Sequence, residues 1–391
     1  GFSRFKMNIN KLENNWLNQA SAQCLSKAFK NYGYQALFVG GCVRNSILEV
    51  PVTDIDMATD ALPETIIKIS KENNFKFILT GLTHGTITII IDKIAYQITT
   101  FRNDITNDGR HAKVEFTTSL LLDASRRDLT INAIYCDSYG KIIDPLNVLE
   151  DLNNRVIKFI GDPNKRIAED YLRILRFFRF QAIYGNEMLE INVPALAACR
   201  EHKSKLATLS KERITSELRK LFLSNNPTRT IIKMTDTGIL NQLFKNCSIN
   251  SFISYIEAEK KYKIKINWIG RLLSLQGSNI EEVLTLTRQE LKMIKYTKKA
   301  IGQNVPIFEF SYYNGIDYGI MYLLLQHGMK KTTLNKILIN KVSSIVTRKF
   351  PVTAKDLMPK LKGKKLGDEL KKLESQWIKS DFTLNKNQLL S

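Results

Sequence analysis

Apolar positions near the start of the chain recur with two different periods. Leu12, Trp16, Leu17, Ala20, Cys24, Leu25 and Phe29 fall at helical spacing and predict an amphipathic helix over Asn8–Phe29, packed beneath the first strand. Ala36–Val39 is an unbroken apolar run ending in Gly40-Gly41, which predicts a strand feeding a tight turn that a ligand can approach closely. Across Thr53–Thr59 an extended chain would put Asp54 and Asp56 on one face and Ile55 and Met57 on the other. Pro63–Asn73 predicts a helix entered through Asp60 and Pro63, followed by strands over Phe75–Thr80, Thr86–Ile91 and Ile94–Phe101. These elements predict a small antiparallel-rich sheet with helices behind it. From Ile167 onward helical patterns dominate, broken at Pro194, Pro227, Pro306 and Pro351, so the expected fold class is α+β, a sheet domain followed by helices.

Charge changes the picture from fold to partner. The 391 residues carry 58 Lys and Arg against 38 Asp and Glu, a formal net charge of +20. Such an excess attracts a polyanion, and with no apolar run of about 18 residues the sequence predicts nucleic acid rather than a membrane as the partner. A lysine-rich solvated surface accounts for part of the excess, but not for the organisation of charge described next. The five cysteines stand singly and the four histidines form no ligand-spaced cluster with them, which argues against structural zinc and for a reducing cytoplasm.

Three stretches carry candidate chemistry. Alone, a Gly-Gly pair is a bend and an Asp-x-Asp is a solvated loop or a helix cap. Together, with Arg44 one helical turn beyond Gly41, they bring an amide-rich turn, a guanidinium and two carboxylates to one place, which suits Mg²⁺ bridging a nucleotide. Arg126-Arg127 is surface charge in isolation and a triphosphate clamp beside such a turn. Glu169–Phe180 predicts a helix on which Asp170, Arg173, Arg176 and Arg179 recur every three residues while Leu172, Ile174, Leu175 and Phe178 are buried. An ion-pair ladder is the plain account of that stripe. Base recognition is the better one given the upstream motifs: cytosine and adenine each present an exocyclic amine beside a ring-nitrogen acceptor, matching a carboxylate and a guanidinium, whereas guanine and uracil present a carbonyl beside an N–H. The polar segment Arg102–Lys113, containing Asp108, Gly109 and Arg110, is longer than a hairpin needs and is expected to be a functional loop.

These stretches, with His84-Gly85-Thr86, Asp128 and Asn132-Ala133, resemble the tRNA nucleotidyltransferase/poly(A) polymerase family, the class II CCA-adding enzymes of the polymerase-β nucleotidyltransferase superfamily. The resemblance implies a seahorse-like molecule with a nucleotidyltransferase head over residues 8–145, a helical base-reading neck over 146–225, a helical body over 226–350 and a tRNA-binding tail over 351–391. It implies template-independent addition of CMP and AMP from CTP and ATP to the tRNA 3′ end, with Asp54 and Asp56 holding Mg²⁺. Gly40, Gly41, Arg44 and one or both of Arg126 and Arg127 would then hold the triphosphate, Asp170 and Arg173 would read the base, and Arg176 and Arg179 would support that helix and the phosphates. The loop with Asp108, Gly109 and Arg110 would press on the neck helix during the change from C to A, so shortening it should stop addition after CC. Three positions depart from the family pattern, among them Ala112, which stands where a proline is often found. Gln97 stands where an acidic residue is usual, which removes a third carboxylate, and Asn45 replaces an Asp while still able to bond at the helix start. A poly(A) polymerase or an enzyme adding only A or only C is the nearby alternative, and a non-catalytic RNA-binding protein the distant one.

Overall fold

The computed structural model describes residues 11–106, 113–345 and 348–391. They gather into two compact units, one containing residues up to Leu221 with Lys233–Gln242, the other Phe222–Ile232 with Leu243–Ser391. The loop residues Asp108, Gly109 and Arg110 lie outside the described residues.

In the first unit, α1 (Ala20–Asn31) precedes β1 (Ala36–Val39), α2 (Gly41–Ile47), β2 (Ile55–Thr59), α3 (Pro63–Glu72), β3 (Lys76–Gly81), β4 (Thr86–Ile91) and β5 (Ile94–Thr100). Among the described residues, the helix expected over Asn8–Phe29 starts only at Ala20. Leu12, Trp16 and Leu17 are buried as anticipated, but in irregular chain held by tertiary bonds, the Leu12 amide to the Gly140 carbonyl at 2.6 Å and Trp16 Nε1 to Ser46 Oγ at 2.8 Å. Next come β6 (Arg102–Thr106) and β7 (Lys113–Phe116), which pair as a separate two-stranded sheet and so give both ends of the expected polar loop regular structure. Gly85 sits under this hairpin at φ +74°, where a Cβ would come within 2.6 Å of the Phe116 ring, so both backbone angle and space require glycine.

Further along are α4 (Leu120–Ser125), β8 (Tyr135–Cys136), β9 (Ile142–Ile143), α5 (Leu149–Asn153), α6 (Pro163–Glu169), α7 (Leu172–Tyr184), α8 (Val193–His202) and α9 (Lys211–Phe222). The main sheet has the order β3-β4-β5-β2-β1-β8-β9 and is antiparallel except where β2 runs parallel to β5. That parallel pair is reached by a crossover through α3, β3 and β4, and its register sets Asp56 beside Gln97. Leu37, Val39 and Ala58 pack with Phe101, Ala124, Ala133 and Tyr135 in one core cluster. On β2 only Asp56 escapes burial, because cover on both sides replaces the simple alternation expected from the sequence.

Asp170 corrects the expectation of one helix over Glu169–Phe180. It is extended (φ −158°, ψ 107°) between α6 and α7, and its Oδ1 accepts the Leu172 amide at 3.1 Å, an Asp bonding to backbone at a helix entry. Prolines open helices here more than they end them: Pro163 and Pro194 lie in first turns and Pro306 precedes the helix Ile307–Asn314.

Helices are the only regular elements among the described residues of the second unit. Its interior holds a fully buried ion pair. Arg271, 0% exposed, forks onto Glu259 and donates through Nη1 to the carbonyls of Phe222 and Ser224, each at 2.6 Å. These bonds satisfy both charges, so removing one partner strands the other. Glu259→Ala should therefore lower stability by about 3–5 kcal/mol, read as a lowered urea midpoint by Trp268 and Trp377 fluorescence. An unshifted midpoint would show that Arg271 finds other compensation.

Candidate active site

β1 ends at Gly40, whose backbone (φ 70°, ψ −124°) only glycine adopts readily, and the chain turns there into α2. This turn forms one wall of a cavity of about 670 Å³ lined by Gly40, Gly41, Arg44, Asp56, Arg126, Arg127, Asp170, Arg173, Arg176 and Arg179. Of the described residues expected to hold the metal, the triphosphate or the base, Asp54 alone does not border it. Asp54 is exposed at the entry to β2, with its Oδ2 accepting from Thr53 Oγ1 at 3.1 Å.

Burial raises the Asp56 carboxyl above the usual carboxylate range; Arg127 and Arg44 oppose that shift, and the negative charge of Asp54 adds to it. Two carboxylates that repel one another at a half-buried edge are a fitting seat for a hard divalent cation. Gln97, opposite Asp56 on β5, is neutral, and among the described residues no cluster of three or more Asp, Glu, His or Cys forms around the pair.

Arg44 is largely committed to the fold. Its Nη1 donates to Asn132 Oδ1 at 2.5 Å and its Nη2 to Tyr184 Oη at 2.8 Å, while Nε and Nη2 both reach Asn45 Oδ1. The guanidinium also lies 4.2 Å from the Tyr184 ring centroid and 5.0 Å from that of Phe180. Among the described residues only one N–H, on Nη1, remains for a ligand. Asn45 therefore serves Arg44 and the Pro51 carbonyl rather than the helix start.

Arg126 and Arg127 share one buried carboxylate. Arg126 Nε meets Asp123 Oδ1 at 2.9 Å, Arg127 Nη2 meets Oδ2 at 3.1 Å, and the Tyr135 hydroxyl donates to Oδ2 at 2.6 Å. Burial opposes ionisation of Asp123, but the two guanidiniums and Tyr135 outweigh it and hold the carboxyl below its ordinary value.

The charged stripe of α7 is not a ladder within one helix. Arg173 Nη1 pairs with Glu169 at 2.5 Å, and Asp170 Oδ2 pairs instead with Arg213 Nη2 of α9 at 2.6 Å. Arg176 Nε binds Asp128 at 2.6 Å, and Arg179 Nε lies 2.7 Å from Glu217, an ion pair without hydrogen-bond alignment. Asp128 also accepts from Asn132 Nδ2 at 3.1 Å. A continuous polar path thus joins Arg44, Asn132, Asp128 and Arg176.

Arg213 and Lys220 also line the cavity but were not among the residues picked from the sequence, and His84, Arg102 and Phe180, named there only within longer stretches and given no role, line it too. Arg213, Glu217 and Lys220 follow one another at spacings of four and three on α9, a one-faced pattern that could have signalled the last helix of the site.

A mixed sheet whose glycine turn and aspartate pair meet an arginine-rich helix places the chain in the class of nucleotidyltransferases with a polymerase-type head. Residues 36–158 match the family described as "Poly A polymerase head domain", and residues 189–249 that described as "Probable RNA and SrmB- binding site of polymerase A". CCA tRNA nucleotidyltransferase 1, mitochondrial, of Homo sapiens is 30% identical over 408 aligned residues, covering 99% of this chain and 93% of the human protein. The CCA-adding enzyme of Staphylococcus epidermidis is 32% identical, with 92% and 90% covered. The Bacillus stearothermophilus CCA-adding enzyme, solved in complex with CTP, superposes with a TM-score of 0.71 at 25% identity, covering 92% of this chain and 93% of that one. The chain belongs to the CCA-adding tRNA nucleotidyltransferase family.

Asp128 gives the site a measurable signature. Burial opposes its ionisation, yet Arg176, Asn132 and the Leu129 amide hold its carboxyl well below the carboxylate range. A depressed folded value adds stability above the unfolded value of about 3.9 and loses it as pH falls toward the folded value. Asp128→Asn should therefore lower stability at pH 7 and flatten its decline below about pH 4, measured by urea unfolding across pH. A variant with the same acid dependence as the parent would remove Asp128 from this account.

Proposed function

We propose that this chain builds or repairs the CCA terminus of tRNA, adding CMP and AMP without a nucleic-acid template and releasing pyrophosphate. The observation that carries the reading is that Asp56, the glycine turn, the paired arginines and the Asp170/Arg173 pair all border one cavity. Reaction and selection need them together. The net charge of +20 suits a tRNA partner.

Asp54 and Asp56 would hold Mg²⁺, which when bound supplies charge neutralisation at the α-phosphate and a more acidic primer 3′-hydroxyl. Gln97 would leave that site with two carboxylates. Gly40 and Gly41 let the triphosphate approach the backbone, and Arg127, the cation acting most strongly on Asp56, is the better placed of the arginine pair to meet it. Arg44 would add its remaining N–H while fixing the turn to α7. Asp170 accepts from the exocyclic amine of C or A and Arg173 donates to the adjacent ring nitrogen, while Arg176 and Arg179 hold α7 in place. The head would span residues 8–145, the base-reading neck 146–225, the body 226–350 and the tRNA-binding tail 351–391, where exposed Lys360, Lys362, Lys364 and Lys365 precede or open a helix. Five unpaired cysteines suit a reducing cytoplasm. Supplying tRNAs that end before, within and after CCA with each nucleotide in turn tests the reading directly. Addition that continues past CCA, or stops at one base, would replace it.

Replacing Asp54 or Asp56 by Ala should lower turnover by at least about two orders of magnitude while tRNA affinity persists. Single-turnover assays beside filter binding measure both, and a near-normal rate in either variant would dismiss the carboxylate site.

Asp170→Ala should lower the kcat/KM preference for CTP over UTP roughly tenfold to a hundredfold, since a good bidentate contact discriminates by about 1–3 kcal/mol. An unchanged ratio in folded protein would mean the base is read elsewhere.

A further inference from the structure

Both oxygens of Asp170 are engaged, by different elements. The Leu172 amide holds Oδ1 at 3.1 Å and Arg213 Nη2 holds Oδ2 at 2.6 Å. The first bond sets where the side chain points. Alone it restrains the carboxylate plane only loosely, because the second torsion of Asp is broad. The second bond, from α9, fixes that plane. The same face of α9 carries Glu217, 2.7 Å from Arg179 and 4.0 Å from Arg176, so α9 pairs with the reading stripe at both ends.

Stability alone is a poor account of Arg213. Its side chain is 39% exposed, and an ion pair at such exposure contributes little to folding. Arg213 and Asp170 both border the cavity proposed to hold the nucleotide, so the pair belongs to its wall.

We propose that Arg213 is a specificity-determining positioning residue, which fixes the Asp170 carboxylate so that it aligns with the exocyclic amine of cytosine or adenine and opposes the carbonyl of uracil or guanine. The inference rests on the assignment of Asp170 as the base reader. Each carboxylate oxygen has two lone pairs, so Oδ2 can accept from Arg213 and from a base amine at once. A hydrogen bond weakens steeply with misalignment. Freeing the plane therefore erodes selection without removing the carboxylate, and lets it turn aside from a carbonyl it would otherwise meet. Lysine restores charge at Oδ2 but not a planar, directed donor, so it recovers only part of the effect.

The test is kcat/KM for CTP, UTP, ATP and GTP in Arg213→Ala, Arg213→Gln, Arg213→Lys and Asp170→Ala, with Tm measured alongside. Arg213→Ala and Arg213→Gln should narrow the CTP/UTP and ATP/GTP ratios by roughly tenfold, about the effect of one hydrogen bond to a charged group, with Arg213→Lys between them and the parent. A merely structural role would lower kcat/KM for all four nucleotides by the same factor, and that result overturns the proposal. So does a ratio narrowed by Asp170→Ala but untouched in every Arg213 variant, which leaves Asp170 as reader and removes Arg213. If Asp170→Ala leaves the ratios unchanged as well, the base-reading assignment itself fails and this inference with it.

Discussion

A cavity suited to a polyphosphate must gather cations that repel one another, and that constraint governs the first unit. Among the described residues eight arginines and Lys220 border the cavity, against Asp56, Asp128 and Asp170. Guanidiniums at such density are tolerable only if buried carboxylates are shared among them. Asp123 holds Arg126 and Arg127, Asp128 holds Arg176, and Glu217 lies against Arg179 and Arg176. Asp123 and Glu217 do not border the cavity themselves, so part of its electrostatics is set by acids behind its wall. Asp123 and Asp128 stay ionised against the cost of burial because the arginines they organise repay that cost.

The parts of this arrangement that are local in sequence were legible there. Gly40-Gly41 after an apolar run, Asp54 and Asp56 beside it, and the arginines at three-residue spacing could be read because strand, turn and helix each impose a short period. What tertiary contact decides could not be read. Leu12, Trp16 and Leu17 fit a helical pattern and are buried, but Gly140 and Ser46 claim their polar groups and the helix starts later. Asp170 fits the helical stripe by spacing, yet its carboxylate bonds the backbone two residues ahead and breaks the helix. Arg213 is 43 residues from its partner, and no local period announces a pairing of that kind. Arg44 shows the same limit from the other side: its place in the turn was legible, but its commitment to Tyr184, 140 residues away, was not.

That commitment bears on how selection and chemistry are joined. Arg44 rises from the turn that would meet the triphosphate and ends on Tyr184 and Phe180, side chains of the helix that carries Arg173. Asn132, bound to Arg44, also donates to Asp128, which grips Arg176 on the same helix one turn past Arg173. Two routes therefore tie the glycine turn to α7. Buried, charge-assisted bonds of this kind lose strength steeply when stretched, so turn and helix are held to a common frame. In the proposed mechanism a base that fits Asp170 and Arg173 brings its α-phosphate to a fixed distance from Asp56, whereas a base that fits poorly displaces either the helix or the phosphate. A small mismatch at the base edge then becomes misalignment at the reacting phosphorus, where a displacement of about 1 Å can cost on the order of a hundredfold in rate. Selection by this geometry acts through reaction rate as well as binding, which lets a pocket with few base contacts discriminate without a template strand.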